Sequence, residues 1–272
     1  MQRAFVSPTE LTQALDAVEH AVGLVLKDVF EPWDTFGRYE SDVEARLLFF
    51  ALVRHVEGVL ECGRSDVVLF PAGATLTRTA FEQAVRVCWM LHPQDVMVRE
   101  GRFLAHLSEE ERMWRRCARA SGEEPVAKRG APLREFRELF EKKLPAHVPR
   151  LKGLPKFDEM LRELGEPGRY VSYILLSQFS HGSHYAGWMY RRHLGTAKEL
   201  AERSRVRDWA ELLRICWWSV FQAAQALENT SARRQFRSVD AASIDAVAVG
   251  LRALAEAEVS MPHSSDGEHE AV

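Results

Sequence analysis

An all-α fold, a multi-helix bundle of about eight helices with no significant sheet, follows from three features of this sequence. Apolar residues recur at helical spacing in one segment after another. Capping and stop residues flank those segments. No run shows the sustained period-two alternation, bounded by hairpin turns, that a strand needs. With 272 residues and 46% hydrophobic composition, the chain carries enough apolar surface for a substantial core.

Ser7-Pro8-Thr9-Glu10 sets a capping residue, a proline at the first helical position and an early acid ahead of Leu11, Leu15, Val18, Val22 and Val25. Glu31-Pro32-Trp33 closes this first helix. A second is expected from about Ser41 to Glu61, opened by the box-like Ser41-Asp42-Val43-Glu44, with Gly63 just beyond its end. A third runs from Phe70-Pro71 to Leu91, where His92-Pro93 stops it, and a charged, amphipathic fourth spans Gln94 to about Ala120. Residues 121–155 hold Pro125, Pro132, Pro145, Pro149 and Pro155 among many Lys and Arg, and read as a long connection with one short helix near Arg134–Lys143. Helices resume at about Phe157–Leu164, Gly168–Trp188, Lys198–Asn229 and Val239–Ala257. Residues 1–260 thus read as one helical domain, and the polar tail from Met261 (261–272) as disordered.

A formal charge of -3 supplies no global field that would draw the chain onto nucleic acid or membrane, so any such surface is local. Cys62, Cys88, Cys117 and Cys216 lie far apart with no C-x-x-C pair. That pattern speaks against a zinc ribbon or redox motif and fits reduced thiols in a cytoplasmic protein. The N-terminus lacks a signal-peptide apolar core, and charged residues interrupt every apolar stretch short of a membrane span.

Chemistry concentrates on two helices. The third is expected to be central, because charges are few on every face; its exceptions, Thr75, Arg78, Glu82 and Arg86, are spaced to share one side. An Arg–Glu–Arg ladder tying helices together is one reading. An anion-positioning stripe, in which Glu82 orients the two guanidinium groups, is the other. On the helix expected from Gly168 to Trp188, a helical wheel gathers Tyr170, Ser177, Gln178, His181, His184, Tyr185 and Trp188 on one face. For His181 and His184 four readings compete: satisfied core residues, a general acid/base pair with Ser177 one turn earlier, metal ligands, and part of a serine-nucleophile triad. Two histidines are too few for a metal site without help from Glu44, Glu57 or Glu82, no Glu-x-x-His occurs, and no G-x-S-x-G elbow is present. Neither a metal nor a cofactor is expected.

Two short motifs, Arg78-Thr79-Ala80-Phe81-Glu82 followed by Trp89-Met90-Leu91, and Ser177 to Gly182, resemble a bacterial all-helical family of unknown function over about residues 40 to 190. More loosely, the chain is similar to HEPN-type helical bundles of toxin, abortive-infection and defence proteins. Many of those are metal-independent ribonucleases with an Arg-x4–6-His motif, in which arginine holds the phosphate and histidine moves protons. Here Ile174, Leu175 and Leu176 stand where that arginine would precede His181, so the resemblance implies a composite site with Arg78 or Arg86 as the phosphate holder.

Three functions follow as expectations. A defence- or toxin-type ribonuclease would use His181, Ser177, His184, Arg78 and Glu82. A sensor would bind a small anionic ligand with Arg86, Gln178, Tyr170, Tyr185 and Trp89 around it. A structural, dimerising module would use Trp217-Trp218 to face the core and a second subunit, giving a homo-oligomer. The basic run with Arg112, Arg115, Arg116, Arg119, Lys142, Lys143, Arg150 and Lys152, with Trp114 and Phe136 interleaved, reads as an RNA surface or, given the glutamates mixed in, as a solvated salt-bridged one.

Overall fold

A computed structural model describes residues 9–30, 39–66, 69–123, 128–183, 186, 207–230 and 241–256. Among them are nine α-helices and no strand. They are α1 (Thr9–Phe30), α2 (Glu40–Ser65), α3 (Phe70–Leu91), α4 (Val96–Ser121), α5 (Ala131–Lys143), α6 (Phe157–Glu163), α7 (Tyr170–Ser180), α8 (Asp208–Thr230) and α9 (Ala241–Glu256). The first-helix cap at Ser7-Pro8, the stop at Glu31-Pro32-Trp33 and the tail from Met261 lie outside the described residues. No described helix is long and apolar enough to cross a membrane.

The paired helices α2 and α3 form the centre, α8 packs across both, and α1 packs against α8 and α9. The apolar stripe of α1 behaves as its spacing requires: Leu11, Leu15, Val18, Val22 and Val25 are all buried. Trp89, Trp209, Phe49 and Phe81 are the largest wholly enclosed side chains. Gly63 does not lie beyond α2. It is buried inside the helix, and a Cβ there would stand 3.0 Å from Leu15 and 3.2 Å from Trp209. On α3, a Cβ at Gly73 would meet the same indole at 3.1 Å. The two glycines clear a notch for Trp209 at the start of α8, so Gly63 serves close packing and does not cap.

The basic connection is partly ordered into α5, which begins three residues earlier than expected with Pro132 in its first turn. The segment after it returns to α4, burying Leu144 and Val148. Cys88 and Cys216 are buried, and burial pushes both thiols up to about 12; Cys117 is exposed.

The largest departure from the sequence reading concerns α7. A buried rod from Gly168 to Trp188 is expected, but the helix ends at Ser180, with Gly182 at a left-handed φ of 59° after it. The Ser183 N–H returns to the Gln178 carbonyl across that turn, which a residue bearing a Cβ would strain. Leu176 is the buried side chain of α7, while Val171, Ile174 and Leu175 are 61%, 44% and 46% exposed. This helix lies on the surface of α3 and does not thread the core.

Candidate functional site

Thr75, Arg78, Glu82 and Arg86 do share the half-exposed face of α3. Arg78 Nη2 sits 2.8 Å from Glu82 Oε1 and donates to the Tyr173 hydroxyl of α7 at 3.2 Å, with its guanidinium 5.2 Å from that ring's centroid. Tyr173 is stacked on Phe157 (4.2 Å) and on Tyr170 (5.8 Å), so the chain's own rings fill the space an aromatic ligand cage would need. Thr75 donates to the Pro71 carbonyl. Arg78 and Glu82 therefore form the tie between helices that the ladder reading describes. Arg86 differs: its Nε is buried without a partner, as is that of Arg78, but its guanidinium makes no hydrogen bond or ion pair among the described residues.

Trp89 is not a ligand wall. It is 1% exposed, its indole N–H donates to Glu163 Oε2 at 2.8 Å, and Arg102 lies 4.7 Å over the ring while bonding both Glu163 and the Trp89 carbonyl. The sequence reading missed this because Arg102 and Glu163 reach Trp89 from two other helices. Of the Trp217-Trp218 pair, Trp218 packs edge-on to Phe81 (5.4 Å) beneath Arg169 (4.1 Å), and Trp217 lies beside Phe221. Both rings have neighbours within the chain.

On α7, Ser177 Oγ donates to the Tyr173 carbonyl at 2.7 Å and Gln178 Nε2 to the Ile174 carbonyl at 3.1 Å, both ordinary back-bonds along one helix. His181 is exposed at the helix end. His184, Tyr185 and Trp188 lie outside the described residues. Phe179 packs edge-on to Phe70 (5.4 Å) while Tyr173 meets Arg78, so α3 and α7 run antiparallel. His181 then lies roughly 12 Å along the axis from Tyr173, at ~1.5 Å per residue, and Arg86 lies two turns beyond Arg78 in the opposite direction. The described residues do not bring guanidinium and imidazole into one chamber. The wheel that put His184, Tyr185 and Trp188 on one face with His181 presumes an unbroken helix through Gly182, and α7 ends at Ser180. Among the described residues, no three His, Cys, Asp or Glu side chains are placed to hold a metal.

A second polar region is built by α4, α5 and the chain after it. Residues 112–156 hold thirteen Lys and Arg against five Glu and no Asp, in a chain whose net charge is -3. Arg112, Arg115, Arg137, Lys142, Arg150 and Lys152 line a cavity of about 720 Å³ together with Glu111, Glu138 and Glu141. A smaller one of about 270 Å³ is lined by Arg112, Arg115, Arg116 and Arg119 together with Glu109. The organising group of the larger cavity is Glu111, 4% exposed, whose carboxylate accepts from Arg115 (2.9 Å) and from Arg137 Nε (3.2 Å). Arg137 also donates to Glu141 at 2.6 Å. Burial alone would lower the Arg137 pKa, but its bonds to Glu141 and Glu111 outweigh that and hold it above the ordinary value. A guanidinium has five N–H groups, so a carboxylate can fix its orientation and still leave donors for an anion. Lys142 and Lys152 are exposed and have no hydrogen bond or ion pair among the described residues.

The aromatics read as interleaved with this charge face elsewhere. Arg129 covers the Trp114 ring at 5.2 Å, and Phe136 stacks on Phe140 (4.4 Å) and edges Phe103. Glu111 and Arg137, which organise the cleft, escaped the sequence reading. The pairs Glu111–Arg115 and Arg137–Glu141, each at i,i+4, were the available signal.

The chain is thus an all-α bundle with a filled aromatic seam on one side and a basic cleft on another. No protein-family model matches it, and neither does any curated protein or solved structure. The resemblance to a bacterial helical family rests on its two short motifs.

Proposed function

We propose that this protein binds RNA by its phosphate backbone, in the cleft between α4 and α5, and that it belongs among helical defence-type proteins in that capacity. The carrying observation is the cavity of about 720 Å³ in which buried Glu111 orients Arg115 and Arg137 while Lys142 and Lys152 stand unpaired. The wall carries six Lys and Arg against three Glu, and such a net positive concave surface attracts a polyanion through counterion release and focuses its approach. Among the described residues no aromatic side chain lines the cavity, so base stacking adds little and sequence preference should be weak. Cleavage by His181 with Arg78 or Arg86 has less behind it, since Arg78 is engaged by Glu82 and Tyr173.

The test is binding of labelled RNA to the full chain at about 50 mM and about 200 mM salt. Affinity is expected to fall with log[salt] at a slope of about -0.7 per phosphate neutralised. The Lys142→Gln, Lys152→Gln double variant should reduce that slope in magnitude by about 1.4. Absence of binding at the lower salt sinks the proposal.

A second reading, a small-anion sensor, is favoured by Arg86, a half-buried guanidinium with no hydrogen bond or ion pair among the described residues. It requires thermal stabilisation by a small phosphate or carboxylate compound that Arg86→Gln abolishes and the lysine double variant leaves intact.

A further inference from the structure

We infer, on the basis of that RNA-binding reading, that the cleft takes an extended single strand running along α4, and that Gly153 is the positioning residue for Arg112 on this path. Both cavities share Arg112 and Arg115, and a shallow recess beyond them is lined by Arg115, Ala118 and Arg119. The positive charge is therefore continuous along α4. Its rungs at Arg112, Arg115 or Arg116, and Arg119 recur once per turn, about 5.4 Å apart. A flexible strand can follow such a ladder from the larger chamber into the smaller. An A-form duplex carries its phosphates on a stiff convex cylinder and reaches only the rim.

Arg112 stands where the two cavities meet. Its Nε donates to the Ser108 carbonyl (3.4 Å) and its Nη2 lies 3.3 Å from Glu109. Its guanidinium rests directly on the main chain of Gly153: a Cβ there would overlap Nη2 and lie 2.9 Å from Cζ. The backbone gives no other reason for glycine, since Gly153 is absent from the positive-φ glycines Gly122, Gly165 and Gly182. Close approach by Arg112 is what the missing side chain permits. Lys152, next in the chain, reaches into the larger cavity. The same short segment thus carries one cation and seats another.

An added methyl meets only the far end of a flexible side chain, so Gly153→Ala should fold normally while moving the Arg112 head out of line. The experiment measures anisotropy of a labelled oligouridylate of about 12 nucleotides, and of an RNA duplex of equal length, with the full chain. Wild type, Gly153→Ala, Arg112→Gln and the double variant are compared, each checked by thermal unfolding. Wild type is expected to bind the single strand several-fold tighter than the duplex. Arg112→Gln should weaken single-strand binding about tenfold, the loss of one charged hydrogen bond, and lower the salt slope by about 0.7. Gly153→Ala should reproduce much of that loss, and the double variant should be no weaker than Arg112→Gln alone.

Equal binding of duplex and single strand overturns the strand path. Wild-type affinity in Gly153→Ala, or full additivity in the double variant, overturns the positioning role, with the RNA-binding reading left standing. Should Gly153→Ala fail to fold, Arg112→Gln decides: unchanged affinity there overturns the path. If wild type binds neither RNA, the broader reading fails and this inference goes with it.

Discussion

Arg78 of α3 is held by Tyr173 of α7 through both a 3.2 Å hydrogen bond to the hydroxyl and a 5.2 Å approach to the ring. The same guanidinium pairs with Glu82 at 2.8 Å. One side chain therefore joins a central helix to a surface helix whose other polar tie among the described residues is the Ser172 hydroxyl to Glu211 at 3.5 Å. If this contact is a structural tie, its loss should appear in stability. Tyr173→Phe is expected to cost about 1 kcal/mol, and Arg78→Ala about 2 kcal/mol because Glu82 is left half-buried without its partner. A double-mutant cycle in chemical denaturation should give a coupling of about 0.5–1.5 kcal/mol. Additive losses would mean that the two residues do not act on each other.

Glycine at position 63 of α2 offers a second measurement, because helix propensity and packing point opposite ways. Alanine is the better helix former by about 1 kcal/mol. Yet its methyl would meet Leu15 at 3.0 Å and Trp209 at 3.2 Å, both wholly buried. Trp209 has little room to retreat, since Phe70 packs edge-on at 5.9 Å and Gly73 crowds the same edge of the indole. Overpacking of this kind costs about 1–3 kcal/mol, so Gly63→Ala should show a net loss of about 1 kcal/mol. Gly23, inside α1 with open space around it, is the control: Gly23→Ala should stabilise by about 0.5–1 kcal/mol. Denaturant midpoints for the two variants should move in opposite directions, and a shared direction would remove the packing account.

Those two glycines also mark how much was legible beforehand. The apolar stripe of α1 and the limits of α3 at Phe70 and Leu91 could be read because periodicity, Pro71 and His92-Pro93 are local signals. A glycine after an apolar run looks the same whether it ends a helix or admits a partner. Gly63 reads as the end of one and instead admits Trp209, while Gly182 reads as interior to a helix and lies just past the end of α7. Residues that meet only through tertiary packing were the hardest to see. The α3 stripe was visible from spacing, but its engagement by Tyr173 depends on where α7 lands. The cations of the cleft were visible singly, while the burial of Glu111, which turns Arg115 and Arg137 into one unit, depends on α5 folding back on α4.

A third expectation concerns pH and the start of α2. Asp42 is buried there, and its Oδ1 lacks a hydrogen-bond partner. Burial raises its pKa above the ordinary 3.8, Arg99 opposes the rise, nearby Glu100 adds to it, and Arg46 opposes it. Glu100 is itself engaged, accepting the Ser41 N–H at 2.9 Å. A carboxyl whose folded pKa is raised binds its proton more tightly folded than unfolded. Its contribution to stability is therefore complete below the unfolded value and declines as pH climbs from about 3.8 through the folded value. Asn mimics the protonated acid in shape and never ionises. Near pH 4 the two proteins should differ least, and toward about pH 7 Asp42→Asn should gain on wild type. Comparing the pair at each pH cancels every titration that the two proteins share. Urea unfolding of both proteins across that range is the measurement. A flat difference would mean that folding leaves the Asp42 pKa unmoved. A move in favour of wild type would show that Arg99 and Arg46 dominate and hold Asp42 as a stabilised carboxylate. Either outcome overturns the expectation.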